Sequence, residues 1–276
     1  MEASYKNNAP IGLFDSGVGG LSVYLHLAQQ MPAERYVYYA DTLHVPYGNR
    51  DSEEIEALTL TAVKWLYQQG CKLIVIACNS ASAYALETAR RCYPQLPIVG
   101  LVPALKPAVG ASKSGHVAVL ATKATLNGAL LNQVIEDIAS PSGTKVTKYF
   151  DPQLVPWVES GMSETSDAAQ RLREQIQSFA LAGVDYLVLG CTHYPFFKDF
   201  LIDEIAAQQL SIKVVDSGQA IAARVHSLLT ERSILAQSIE NYEIHPLVFY
   251  ASKYDESLYT VVTRLLSTEI KIRYLY

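Results

Sequence analysis

The chain has 276 residues, enough for one large domain or two ordinary ones, with 50% hydrophobic and 18% charged residues, the balance of a globular protein. Its 22 Lys and Arg against 27 Asp and Glu leave a formal charge of -5 without any basic run, which removes the electrostatic case for nucleic acid or an anionic membrane surface as partner. The opening MEASYKNNAP lacks a hydrophobic signal region and no apolar stretch approaches the roughly 20 residues that span a bilayer, so a cytoplasmic setting and no membrane partner are expected.

In chain order, short apolar runs predict strands over 11–14 (IGLF), 36–40, 72–77 (KLIVIA), 97–101, 116–121, 186–190 (YLVLG) and 212–216. Between them, apolar residues three and four apart predict helices over 21–31, 52–69, 80–92, 127–139, 166–182 and 218–231. Such alternation points to α/β layers with doubly wound, mainly parallel sheets, and near-continuous apolar strands require helices on both faces. Pro103, Pro107 and GASKSG (110–115) interrupt the pattern and read as a crossover between two domains. The second would run over 107–211. The first would comprise 1–106 and 212–276, a return that rests on the strand count and on the resemblance given below.

The four cysteines, Cys71, Cys78, Cys92 and Cys191, are too few for a disulfide scaffold and form no CxxC pair, so free thiols are expected. Two of them sit in matching contexts. KLIVIACNSAS and DYLVLGCTHYP each carry an apolar strand into a small residue, a cysteine and then polar side chains. Ligands of open α/β sheets lie at the carboxyl ends of strands, so both thiols fall where chemistry is expected. Helix N-termini and imidazolium groups lower a thiol's pKa from its free value of about 8.5, and a thiol exchanging with thiolate is a proton-transfer group. His193 is the local partner for Cys191, and Asp15 is a candidate carboxylate for Cys78. A cysteine after a strand is more often a small core residue, and that reading stands for Cys71 and Cys92. A metal site at Cys191 and His193 lacks the usual ligand spacing. A redox pair would need the two sulfurs within disulfide reach, and a cysteine hydrolase would leave one thiol unexplained.

Three further loops are candidates for holding a substrate. FDSGVGGLS turns Asp15 and Ser16 into a glycine-rich stretch before a helix, suited either to an anion or simply to a tight turn, and it matches neither a dinucleotide nor a Walker pattern. DTLHVPYG places Tyr47 and Gly48 before a helix whose N-cap is read as Ser52, and they are either backbone donors to a carboxylate or an ordinary turn. Thr122 and Thr125 are either caps or hydroxyl donors.

FDSGVGGLS, DTLHVPYG, IACNSAS, GCTHYP, VVDSGQAIA and VFYASKYDESLY together resemble the glutamate racemase family of the aspartate/glutamate racemase superfamily, in that family's order. The resemblance implies two α/β domains with the site in the cleft between them, commonly in homodimers. It implies racemisation of glutamate by two cysteines without pyridoxal phosphate or metal, supplying D-glutamate for peptidoglycan. The thiols would be Cys78 and Cys191, assisted by Asp15 and His193, with Glu159 a further acid near the second thiol. Substrate contacts would come from Asp15, Ser16, Tyr47, Gly48, Asn79, Ser80, Thr192 and His193, to which the residue reading adds Thr122 as a candidate hydroxyl donor. Ser80 stands where threonine is usual, and Asp151 where a small residue or cysteine is common. Aspartate racemases more often carry glutamate at the position of His193. A non-catalytic amino-acid-binding protein on this fold would need no thiols, and a thiol oxidoreductase would form an internal disulfide under mild oxidation.

Overall fold

All strand pairings are parallel and fall into two separate sheets, as described by a computed structural model covering residues 7–236 and 247–275. The chain divides into two units, Met1–Leu101 with Gly218–Tyr276, and Val102–Ser217.

The first unit is built on β1 (Ile11–Asp15), β2 (Tyr36–Ala40), β3 (Leu73–Ile76) and β4 (Ile98–Gly100), joined by β9 (Leu247–Ala251) and β10 (Ile272–Tyr274) when the chain returns, in the order β10-β9-β2-β1-β3-β4. The central strands β1 and β3 are buried at every residue, the reason they read as unbroken apolar runs. Helix α1 (Leu21–Gln30) packs on α10 (Gly218–Glu231), and α2 (Ser52–Gln68) on α3 (Asn79–Cys92). Tyr36 binds strand to helix: its hydroxyl lies as donor 3.0 Å from Leu27 O and 2.9 Å from Met31 O, carbonyls at the end of α1 that also accept from Met31 N and Glu34 N. Helix α11 (Glu256–Leu266) lies between β9 and β10 in the chain, and Asp255 caps its N-terminus.

The second unit holds β5 (His116–Ala121), β6 (Lys145–Tyr149), β7 (Tyr186–Gly190) and β8 (Lys213–Val215), in the order β6-β5-β7-β8. Its core gathers Leu105, Val109, Val117, Val119, Leu131 and Val188. Helices α4 (Leu105–Ala111), α5 (Lys123–Asn127), α6 (Ala129–Val134), α7 (Leu154–Ser160), α8 (Asp167–Leu181) and α9 (Lys198–Ala207) complete it.

Four expectations change. Strand β8 pairs with β7, Tyr186 beside Lys213 and Val188 beside Val215, so it belongs with the second sheet and not with the returning segment. The helix expected over 127–139 starts only at Ala129, because Gly128 takes an extended conformation (φ -67, ψ 149), and it widens in its last turn at Ile135–Ala139. Pro107 lies inside α4 rather than in a linker, at a first-turn position where proline's missing N–H costs no helical bond. The capping position of α2 is Asp51, and Ser52 is its first helical residue. Among the described residues no helix is long and apolar enough to cross a membrane.

Candidate active site

In each unit the polar groups beside the thiols collect at strand carboxyl ends.

In the first unit Asp15 ends β1, and Cys78 follows β3 after Ala77. Cys78 is the N-cap of α3: its sulfur accepts from Ala81 N at 3.5 Å and lies 3.6 Å from Ser16 Oγ. Ser82 fixes this junction, donating to Ile76 O and accepting from Leu101 N, both at 2.9 Å. Asn79 and Ser80 are buried in the first turn. Asn79 Nδ2 is buried with no hydrogen-bond partner among the described residues. A donor left so costs about 1–3 kcal/mol, which a ligand can recover. Asp15 is fully buried, and its Oδ1 accepts from Gly17 N at 2.8 Å, the local turn that aspartate favours. Tyr38 Oη donates to Gly17 O at 3.0 Å. A Cβ on Gly20 would come within 2.8 Å of that hydroxyl and 2.9 Å of Asp15 Cβ. The glycine-rich loop therefore has a packing reason besides any anion.

Tyr47 is buried against Phe14, and its hydroxyl donates to Asp41 Oδ2 at 2.6 Å. Burial, with Asp41 beside it, pushes the phenol far above its ordinary pKa. Its proton is thus committed inside the protein, and a ligand at Tyr47 and Gly48 would meet the backbone. Asp41 escaped the sequence reading, although an acid directly after a strand in DTLHVPYG was a usable signal.

In the second unit Cys191 follows β7. Its sulfur lies 3.9 Å from His193 Nδ1, and His193 Nε2 lies 3.0 Å from Glu159 Oε1 on α7. Burial alone would lower the imidazole's pKa, but its bonds to Cys191 and Glu159 prevail and push it up to about 10. His193 is therefore a buried, proton-loaded imidazole between a sulfur and a carboxylate, a geometry that can deliver a proton to Cys191. Glu159 stays about one-third exposed, its side chain at 35%. Asp151 steadies the start of the same helix, accepting from Gln153 N at 2.8 Å and from Arg171 Nε at 2.9 Å. Thr192 is buried beside Cys191. Thr122 is the N-cap of α5, accepting from Thr125 N at 3.3 Å and bonded to Thr125 Oγ1 at 3.0 Å, so the capping role is realised. Tyr194 was not singled out from GCTHYP, yet its hydroxyl is buried with no hydrogen-bond partner among the described residues. A Cβ on Gly190 would stand 2.9 Å from Ala121 Cβ and 3.1 Å from Pro103 Cγ, so the residue before Cys191 must be small.

The other cysteines differ. Cys71 is buried, its thiol pushed up to about 12 by burial, and Cys92 is exposed. Among the described residues no three His, Cys, Asp or Glu side chains group to hold a metal ion.

The Asp/Glu/Hydantoin racemase family model matches residues 11–225. The glutamate racemase of Deinococcus radiodurans is 47% identical over 230 residues, covering 83% of this chain and 78% of that protein. Among solved structures, a glutamate racemase isoform from Bacillus anthracis aligns with a TM-score of 0.85 at 26% identity, over 98% of both chains. The glutamate racemase of Francisella tularensis in complex with D-glutamate gives 0.83 at 28% identity, again over 98% of both. With more than two-thirds of its length matched by the family model and a close relative over most of it, the chain belongs to the Asp/Glu/Hydantoin racemase family, among its glutamate racemases.

Proposed function

We propose that the chain interconverts L- and D-glutamate without a cofactor, with Cys78 and Cys191 as the two acid/base groups, one for each face of the α-carbon. The observation that carries this reading is that each buried thiol has its own polar partner: Ser16 and the Ala81 amide for Cys78, and the Glu159–His193 pair for Cys191. Binding alone needs neither.

In one direction a thiolate at Cys78 takes the α-proton, the electron pair passes into the substrate carboxylate, and the Cys191 thiol gives its proton to the other face. His193 restores the proton on Cys191 and regains its own from solvent, while the new Cys78 thiol releases its proton to solvent. The reverse direction exchanges the roles. Two fixed groups exploit proximity, where a single base would have to travel around the substrate. A donor such as Asn79 Nδ2 would stabilise charge developing on the carboxylate, while backbone amides at Tyr47 and Gly48 would hold that carboxylate in substrate and transition state alike. Ser16, Ser80, Thr192 and Asp15 would complete substrate binding, Asp15 serving Cys78 as a proton partner. The relative captured with D-glutamate supports the substrate class. The resemblance extends the reading to supply of D-glutamate for peptidoglycan by a cytoplasmic homodimer.

The test is incubation with each enantiomer of glutamate and of aspartate in deuterated water, following circular dichroism and α-deuterium uptake. Glutamate should racemise in both directions with deuterium entering the product. Cys78→Ala and Cys191→Ala should each abolish it. Two-way turnover in either variant, or turnover of aspartate alone, refutes the reading.

A further inference from the structure

Asp41 follows β2 directly and is buried, and its backbone N–H donates to Asp15 O at 3.0 Å. Its carboxylate collects three side chains. Tyr47 Oη donates at 2.6 Å, Ser252 Oγ donates at 2.8 Å, and His44 Nδ1 meets both oxygens at 2.9 and 3.0 Å. Ser252 follows β9; its hydroxyl accepts from Leu43 N at 2.9 Å, and its own N–H donates to Ala40 O at 3.0 Å. Thr42 and Lys253 add reciprocal bonds, Thr42 Oγ1 donating to Lys253 O at 3.1 Å and accepting from Lys253 N at 3.0 Å. Arg50 Nε closes the loop on His44 O at 2.6 Å. A buried carboxylate needs such donors. What is particular here is their origin: apart from Ser252, every side chain on Asp41 comes from the loop that carries Tyr47 and Gly48.

We infer that Asp41 is a positioning residue that tethers the Tyr47–Gly48 loop to the carboxyl ends of β2 and β9 and thereby sets affinity for the substrate carboxylate. The inference rests on the reading that the Tyr47 and Gly48 backbone meets glutamate. Because the phenolic proton of Tyr47 is held by Asp41, the ring acts as a strut fixing where residues 47 and 48 lie. Loosening the strut moves donors that bind substrate and transition state alike, so the loss falls on KM rather than kcat.

The experiment compares Asp41→Asn, Tyr47→Phe and the double variant with the parent, reading KM and kcat in both directions and amide hydrogen exchange over residues 41–50. Asp41→Asn should raise KM for both enantiomers about tenfold, the equivalent of about 1.4 kcal/mol, and change kcat less than about threefold. Exchange in the loop should quicken while β1 and β3 stay protected. Tyr47→Phe should show the same pattern, and the double variant should be little worse than Asp41→Asn alone, because the Tyr47–Asp41 bond is common to both. An unchanged KM, a loss confined to kcat, additive losses or unaltered loop exchange overturns the tether. Should Asp41→Asn fail to fold, Tyr47→Phe alone decides on the same readings. A parent that does not racemise glutamate refutes the functional reading instead, and loop exchange still decides the tether.

Discussion

Replacing Glu159 by Gln keeps the shape of the side chain and removes the charge that faces His193 across 3.0 Å. The imidazole is held at about 10 by Cys191 and Glu159 against the opposing effect of burial, so one of its two supports is lost. A hydrogen bond to a charged group contributes about 1.5–3 kcal/mol, and 1.36 kcal/mol corresponds to one pH unit. Partial exposure of Glu159 favours the lower end, so the pKa of His193 should fall by roughly one to two pH units. The parent keeps His193 cationic through pH 9, whereas the variant would lose that proton near pH 8 to 9. The measurement is the rate of both directions by circular dichroism from pH 6 to pH 10.5, with α-deuterium uptake reported separately. The alkaline limb of kcat should move toward neutrality in the direction that uses Cys191 as proton donor, with kcat/KM equal in the two directions because the enantiomers have equal free energy, and with near-parent rates at pH 6.5. A profile that superimposes on the parent's, or a loss equal at every pH, would show that Glu159 does not act through the charge of His193.

The same pair makes a stability prediction: because the folded pKa of His193 lies above 6.5, its contribution is full below about pH 6.5 and is lost as pH rises toward 10. Melting temperature should fall over that window, and less steeply in Glu159→Gln. Asp185 behaves oppositely. Burial raises its pKa, but Ser112 Oγ and the N–H groups of Lys113 and Ser114 outweigh this and bring it to about 2, so its contribution is present above about pH 4 and lost as pH falls through 2. The denaturation difference between parent and Asp185→Asn should be constant near neutrality and shrink toward pH 2. Lys72 and Glu34 form a nearly sealed pair at 2.7 Å, with side chains 4% and 1% exposed, so Lys72→Met should cost about 3–5 kcal/mol in urea unfolding, and the double variant Lys72→Met with Glu34→Gln clearly less. Gly190→Ala must push a methyl against Ala121 and Pro103 and should cost about 1–3 kcal/mol with reduced turnover; wild-type stability would show that the strand end before Cys191 yields freely.

What the sequence displays depends on where a residue's partners are. Strands β1, β3, β5 and β7 are legible because burial on both faces leaves near-continuous apolar runs. Strand β6 is not: as an edge strand with no fully buried residue, KVTKY carries no such signature. Helix α7, which carries Glu159, is hidden because it begins with Leu-Val-Pro: a proline reads as a break in sequence, yet this one lies in the first turn, where helices accept it. The thiol loops were visible because their pattern is local. The tether on Asp41 was not, since one of its donors, Ser252, is 211 positions away. Nor could local sequence separate the two readings of Thr122, because a cap is defined by backbone geometry.

The two thiol loops look alike in sequence, yet their backbones finish differently. After Cys78 a helix of 14 residues begins at once, so the sulfur occupies the capping position and takes a main-chain N–H. After Cys191 the chain makes a short turn at Tyr194–Phe197, with a proline inside it, and the longer helix starts only at Lys198. That delay gives His193 room to fold back on the sulfur and reach Glu159 on another helix. Ser16 Oγ and the Ala81 amide, which meet the Cys78 sulfur, have no proton to lose near neutral pH. On the Cys191 side the alkaline response therefore belongs to His193, which holds its proton between the sulfur and Glu159.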